Sequence, residues 1–309
     1  MTAAAQSTGA NRTRPATVSI VSNSALILIK VIAGSITGSV AILTEAMHSS
    51  IDLVASLVAY YSIRKADEPA DETHPYGHEK MENLAAAIEG MLILVGAGVI
   101  VFESIRRLVR GGDVEKLGFG IAVVAGSIVI NLFVSSYLYR RARETDSPAL
   151  EGDAAHLRTD AVTSAGVLLG LILIQITGEA WIDAAVALIV ASAILVTGIR
   201  LLNRSGRVLV DETLPPEELE AITETVRSFG HEGVAGFHKL RARRAGTARH
   251  VDMHVQFRAG TTLEDAHHIA HELQDAIAAR VRNADVLIHL EPEDRVRPGT
   301  EIPPGPGPT

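Results

Sequence analysis

From Ala16 to Leu202 the chain alternates long apolar stretches with short polar ones. The apolar stretches are Ala16–Thr37, Ser39–Ile63, Leu84–Ile105, Leu117–Tyr139, Asp153–Thr177 and Ala180–Leu202. Each has roughly 20 residues or more, enough for a helix to cross a hydrocarbon core about 30 Å thick. The pattern predicts six transmembrane helices. Small residues recur inside them (Gly96, Gly98, Gly126, Gly166, Gly170), and these read as points of close helix approach in lipid.

After Arg207 the pattern becomes that of a water-soluble domain. Leu214-Pro215-Pro216 marks the boundary, and Pro216-Glu217-Glu218 suits a helix start. Leu219, Ile222, Val226 and Phe229 then keep helical spacing. Val234–Arg243 and Arg249–Phe257 read as strands joined at Ala245-Gly246. In the second strand Val251, Met253, Val255 and Phe257 share one face, with His250, Asp252, His254 and Gln256 on the other. Leu263–Val281 is an amphipathic helix, and Asp285–Glu291 a strand with His289 and Glu291 on one face. The fold class expected is therefore a membrane all-α bundle of six transmembrane helices followed by a small cytoplasmic α+β domain of order αββαβ. The expected limits are 16–207 for the bundle and 208–292 for the α+β domain. Residues 1–15 and the Pro/Gly-rich 293–309 read as disordered tails.

Orientation follows from Lys and Arg. One side collects Arg12, Arg14, Arg64, Lys65, Lys80, Arg140, Arg141, Arg143, Arg200, Arg204 and Arg207. The other side has Arg106, Arg107, Arg110 and Lys116 in a single loop, and its connections near Gly38 and Gly178 carry none. The bias places both termini in the cytoplasm and the chain in the cell membrane. Composition agrees: 47% of the 309 residues are hydrophobic and 4% aromatic, with a mean hydropathy of +0.23. The net charge of −8 says little, because its sign is patterned along the chain. The absence of cysteine excludes disulfides and thiolate metal sites, and removes the preferred ligand of Cu(I). No basic stripe interleaved with aromatics supports nucleic-acid binding.

The candidate chemistry sits inside the apolar stretches. His48 and Asp52 are four residues apart in the second, and His156 and Asp160 repeat that spacing in the fifth. On a helix, residues four apart stack on one face. Two such helices could close a shell of two imidazoles and two carboxylates, the tetrahedral set zinc prefers. The plain alternative is a buried hydrogen-bonding group, although ionisable residues at membrane depth are costly and point to function. Lys30 inside the first stretch either snorkels or pairs with a carboxylate. Glu45 lies outside the ligand set, and Asp183 reads as a helix-end residue. Between the second and third stretches, Asp71, His74 and His78 bracket a turn at Pro75 and Gly77. This is a compact ligand cluster or else a solvated polar loop. Of the twelve histidines, His231, His238, His250, His254, His267, His268, His271 and His289 lie beyond Arg207. With nearby carboxylates they suggest further metal binding.

These features together resemble the cation diffusion facilitator family: six spans, the paired H-x-x-x-D, the loop D-x-x-H-x-x-x-H and the αββαβ domain. The stretch Gly38–Asp52 alone resembles the family signature, and the resemblance covers residues 15 to 292. It implies a homodimeric exporter of divalent metal driven by inward protons, with a transport site of His48, Asp52, His156 and Asp160. It implies a loop site at Asp71, His74 and His78, and a cytoplasmic binuclear site at His238, His254, His267, His289 and Glu291. The last position is often Asp in relatives. Lys80 and Asp211 match a charge pair that locks the dimer. The two His/Asp pairs resemble zinc or zinc/cadmium carriers, with zinc as substrate and as regulatory ligand and no separate cofactor. Cobalt, nickel, iron and manganese are the alternative cargoes. Two other classes remain in view. An intramembrane metalloenzyme would need a base beside an open metal position, and no H-E-x-x-H occurs. A membrane-anchored metal sensor would have no reason to carry ligands inside its anchor.

Overall fold

The computed structural model describes residues 4–37, 40–110, 120–177, 179 and 181–304. It divides into two compact units, Met1–Gly206 and Arg207–Thr309.

The first unit is built from α1 (Ala4–Thr37), α2 (Val40–Ala66), α3 (Lys80–Arg110), α4 (Gly120–Thr145), α5 (Pro148–Thr177) and most of α6 (Trp181–Leu209). Among the described residues, four stretches are long and apolar enough to cross a membrane: Arg12–Ile36, Lys80–Arg106, Ile121–Thr145 and Ala184–Leu209. The other two helices, α2 and α5, are 27 and 30 residues long and carry the candidate ligands. The bundle is apolar outside as well as inside. Ile36, Phe102, Phe133, Ile176 and Ile189 are each more than two thirds exposed, a surface that suits lipid and not water. Its interior uses small side chains. Ala16, Ala59, Ala85, Ala149 and Ala154 surround Ile63, Leu138, Leu150 and Leu157, and Ala86, Ala97 and Ala155 surround Ile93 and Ile194.

The α4–α5 hairpin shows how local chemistry sets an element. Asp146 ends α4 with a positive φ of 54°, and Pro148 opens α5, where a helix has no use for an N–H. The Ser147 Oγ between them accepts from the Leu150 amide at 3.4 Å, supplying the first-turn partner.

Two sequence expectations need correction in this unit. Residues 4–15, expected as a disordered tail, belong to α1. Arg12 is buried there and ion-paired with Asp67, past the end of α2, and with Glu82 in the first turn of α3. One carboxylate just past α2 and one on α3 hold a segment whose own composition carries no apolar signal. The glycines also differ. A Cβ at Gly96, Gly98 or Gly126 would meet nothing within 4 Å. Gly166 does mark a close approach, a Cβ there standing 2.8 Å from Val190 Cγ2, and others lie at Gly90, Gly152 and Gly198. Residue type alone does not say which face of a helix is packed.

The second unit contains α7 (Pro216–Ser228), β1 (Val234–Ala245), β2 (Ala248–Phe257), α8 (Leu263–Arg280) and β3 (Ala284–Pro292). The sheet order is β1-β2-β3, with β1 antiparallel and β3 parallel to β2. The parallel pair requires a crossover, and α8 supplies it. Thr262 caps α8 by accepting from the Asp265 amide at 3.1 Å. Val251, Met253, Val255 and Phe257 of β2 form the core with Ile222 and Val226 of α7 and Leu273 and Ile277 of α8. Both helices thus cover one face of the sheet. The final segment also departs from expectation, because residues 293–304 are ordered against the domain. A short 3₁₀ turn at Glu293–Arg295 leads to Ile302, which is buried in the core and donates its amide to the Ala235 carbonyl at 2.8 Å. Arg258 Nη2 donates to the Ile302 carbonyl at 2.9 Å. Residues 305–309 lie outside the described residues.

Candidate metal sites

The central cluster joins α2 and α5. Asp52 and His156 are buried and Asp160 is partly so, and ligand atoms of the three lie within 4.8 Å of one another. His156 Nε2 is 3.4 Å from Asp52 Oδ1 and 3.7 Å from Asp160 Oδ2. A tetrahedral ion with ligand bonds of about 2.0–2.1 Å sets its ligand atoms about 3.3–3.4 Å apart. The cluster is therefore close to the spacing an ion demands. The His48 side chain, one turn before Asp52 on α2, lies outside the described residues. So do the side chains of Glu45, Asp183, Arg107, Arg110 and Lys116. Lys30, buried in α1, donates to Ser49 Oγ at 2.8 Å, so it pairs within the bundle and does not snorkel.

Sequence reasoning missed the polar groups around this cluster. Glu89 of α3 is wholly buried, with Oε2 3.6 Å from His156 Nδ1. Asp153, one turn before His156, is also wholly buried and accepts from Ser56 Oγ at 2.9 Å. Asn23 Nδ2 donates to Ser56 Oγ at 2.9 Å and to the Asp52 carbonyl at 3.4 Å. Glu89 carried the same signal that singled out Lys30, an ionisable side chain within an apolar stretch.

The second cluster occupies the α2–α3 connection. His74 Nδ1 is 3.4 Å from Asp71 Oδ1, and His78 Nε2 is 3.4 Å from Asp71 Oδ2. Gly77, with φ of 87°, turns the chain so that the two rings come within 4.5 Å. The Thr73 hydroxyl and the His74 and Thr73 amides donate to Asp71 Oδ1. These hydrogen bonds, the hydroxyl's first, hold the Asp71 carboxyl well below the usual range. His78 is buried, yet neither of its ring nitrogens has a hydrogen-bond partner among the described residues. A buried imidazole that faces a carboxylate without a hydrogen bond fits a ligand better than it fits a solvated loop.

The third cluster lies on the sheet face opposite the helices. Strand register sets His238 beside His254, His254 beside His289, and Gln256 beside Glu291. His254 Nδ1 is 2.7 Å and His238 Nε2 3.2 Å from the Glu291 carboxylate, which also accepts from Gln256 Nε2 at 2.6 Å. The His289 ring is 4.5 Å from that of His254. Burial raises the Glu291 pKa, but the hydrogen bonds from His254 and Gln256 outweigh it and hold the carboxyl at about 2. Burial lowers the His238 pKa against the opposing pull of Glu291, with Arg297, His254 and Lys239 adding to the lowering. His267 is not with this group. It sits on α8 with its ring 4.5 Å from that of His271, and α8 packs on the other face of the sheet. Asp211 accepts from Arg243 Nη1 at 2.9 Å.

Comparison with known proteins agrees with this architecture. Residues 16–210 match the cation efflux transmembrane domain, and residues 214–293 match the cytoplasmic domain of cation efflux proteins. An uncharacterized transporter of Synechocystis, sll1263, is 36% identical over 264 residues, covering 85% of this chain and 85% of that protein. The cation-efflux pump FieF of Klebsiella pneumoniae is 33% identical over 296 residues, covering 94% and 96%. FieF of Serratia proteamaculans is 33% identical over 269 residues, covering 87% and 89%. With six helices bearing a polar metal-capable cluster, an αββαβ domain after them in the sequence and both family domains matched in order, the chain belongs to the cation diffusion facilitator family of cation efflux proteins.

Proposed function

We propose that this protein exports zinc, with cadmium as a secondary cargo, from the cytoplasm in exchange for protons. The observation that carries the reading is the meeting of Asp52, His156 and Asp160 inside a bundle with an apolar exterior. With His48 they make two imidazoles and two carboxylates, a set matched to zinc in number and softness. Such ligands bind metal only when the imidazoles are neutral and the carboxylates ionised, so protons and metal compete for the same atoms. Protons arriving from the outer side release the ion there. Their loss to a more alkaline cytoplasm restores the site, and imidazoles exchange protons in that range.

The transporter works as a homodimer, with zinc at the Asp71–His74–His78 loop and on the cytoplasmic sheet reporting metal levels. The dimer also accounts for His267. Within one chain the sheet separates it from His238, His254, His289 and Glu291, so a second copy must supply it if all five share a site.

A panel of metals offered to membrane vesicles of known orientation tests the cargo. Zinc should enter inside-out vesicles, cadmium more slowly, and manganese, iron, cobalt and nickel little. Transport of manganese or iron in preference to zinc would overturn the assignment of cargo while keeping the family.

A further inference from the structure

Glu89 is unexplained by the reading above. It is a carboxylate on α3 in the third span, fully buried, and neither of its oxygens has a hydrogen-bond partner among the described residues. Burying such a group without compensation costs several kcal/mol, so its retention calls for a use. Its near neighbour is His156: Oε2 stands 3.6 Å from Nδ1, while the other ring nitrogen faces Asp52 and Asp160. The approach of α3 to α5 is close here because residue 152 is glycine. A Cβ at Gly152 would stand 3.1 Å from Glu89 Cγ and 3.2 Å from the Ala86 Cα.

We propose that Glu89 is a positioning residue for the transport site: from 3.6 Å it attracts the Nδ1–H of His156, closing to a hydrogen bond when metal binds, so that the ring presents Nε2 to the metal between Asp52 and Asp160. An imidazole has one donor and one acceptor nitrogen when neutral, and the acceptor is the one that can ligate. A carboxylate behind the ring fixes that choice and the ring plane, and raises the basicity of the ligating nitrogen. Glu89 does not enter the ligand shell. Its effect is on how tightly and in what geometry His156 binds. The inference rests on the assignment of Asp52, His156 and Asp160 as the transport site.

The test uses the full-length protein in lipid nanodiscs for zinc binding and in proteoliposomes for flux. Asp160→Ala first identifies the binding step that belongs to the membrane site. If that variant keeps every bound zinc of the wild type, the site assignment itself fails, whatever Glu89 does. Given that step, Glu89→Ala should weaken it by about 10–100-fold and raise KM in parallel, with the maximal flux little changed. Glu89→Gln, whose side-chain oxygen still accepts from Nδ1–H, should recover most of the affinity. Gly152→Ala keeps the Glu89 carboxylate but shifts it, and should weaken binding several-fold. It decides the matter if Glu89→Ala does not fold. Wild-type affinity and KM in Glu89→Ala, or in Gly152→Ala where that variant must decide, would overturn the proposal. So would a Glu89→Gln variant as impaired as the alanine.

Discussion

In the bundle the candidate ligands are stacked four residues apart on α2 and α5; in the C-terminal unit they lie side by side on three strands. The difference extends to how each cluster stands before metal arrives. On the sheet, Glu291 already accepts from His254 at 2.7 Å and from Gln256 at 2.6 Å, so a metal must displace hydrogen bonds that satisfy the group. In the bundle the corresponding separations are 3.4 and 3.7 Å, close to the edge of a tetrahedral shell and long for hydrogen bonds. Helices allow this because their backbones satisfy themselves, leaving the side chains as the only polar groups to be placed. A self-satisfied cluster suits an ion that comes and goes with cytoplasmic concentration. A more widely spaced one suits an ion that must be bound and then given up to protons.

The sharpest way to break this contrast is to remove a ligand from the bundle. Asp160→Ala should lower zinc flux by on the order of 100-fold or more, since it takes one of the four proposed ligands and leaves Asp52 and His156 buried and unbalanced. Flux near that of the wild type would show that the α5 pair is structural. A second prediction concerns the separateness of the two units. Leu273, fully buried in the sheet domain's core, should cost about 2–5 kcal/mol when cut to alanine. Calorimetry should place that loss in the transition of the C-terminal unit, with zinc affinity at the membrane site unchanged. The smallest effects concern the sheet cluster. His238→Ala should leave maximal flux within about threefold of wild type, since His238 lies outside the membrane ligand set, while abolishing the response of flux to cytoplasmic zinc.

Acidity gives a related test with a defined sign. Glu291 is held at about 2, and the His238 pKa is lowered by burial. As pH falls from neutrality the carboxylate stays ionised, and His238 stays neutral below the usual imidazole pKa of about 6.5. Zinc bound on the sheet should therefore persist somewhat below that value and then fall as the imidazoles take protons. Titration of the full chain with zinc across pH checks it, with the sheet sites identified by their loss in His238→Ala.

Much of this arrangement was legible in the sequence because its periodicities are simple. Residues four apart on a helix must share a face, which named His156 and Asp160. Strict alternation in β2 separated Val251, Met253 and Val255 from His254 and Gln256, and the structure keeps that separation. What was not legible depends on partners far along the chain. The helical start of α1 depends on Arg12 meeting Asp67 and Glu82. The ordered end depends on a place for Ile302 beside Ala235. Glu89 reads as an isolated acid until α3 is set against Gly152 and His156. His267 was grouped with the strand histidines by resemblance, and only the sheet's two faces show that one chain cannot bring them together.

The central claim is that the His/Asp pairs of α2 and α5 move zinc against protons. The most direct measurement follows zinc and internal pH together in proteoliposomes under a pH gradient, comparing the wild type with Asp52→Ala. The account predicts zinc entry tied to opposite proton movement in the wild type and neither in the variant. Zinc entry that persists in Asp52→Ala, or that proceeds without proton movement, would contradict it.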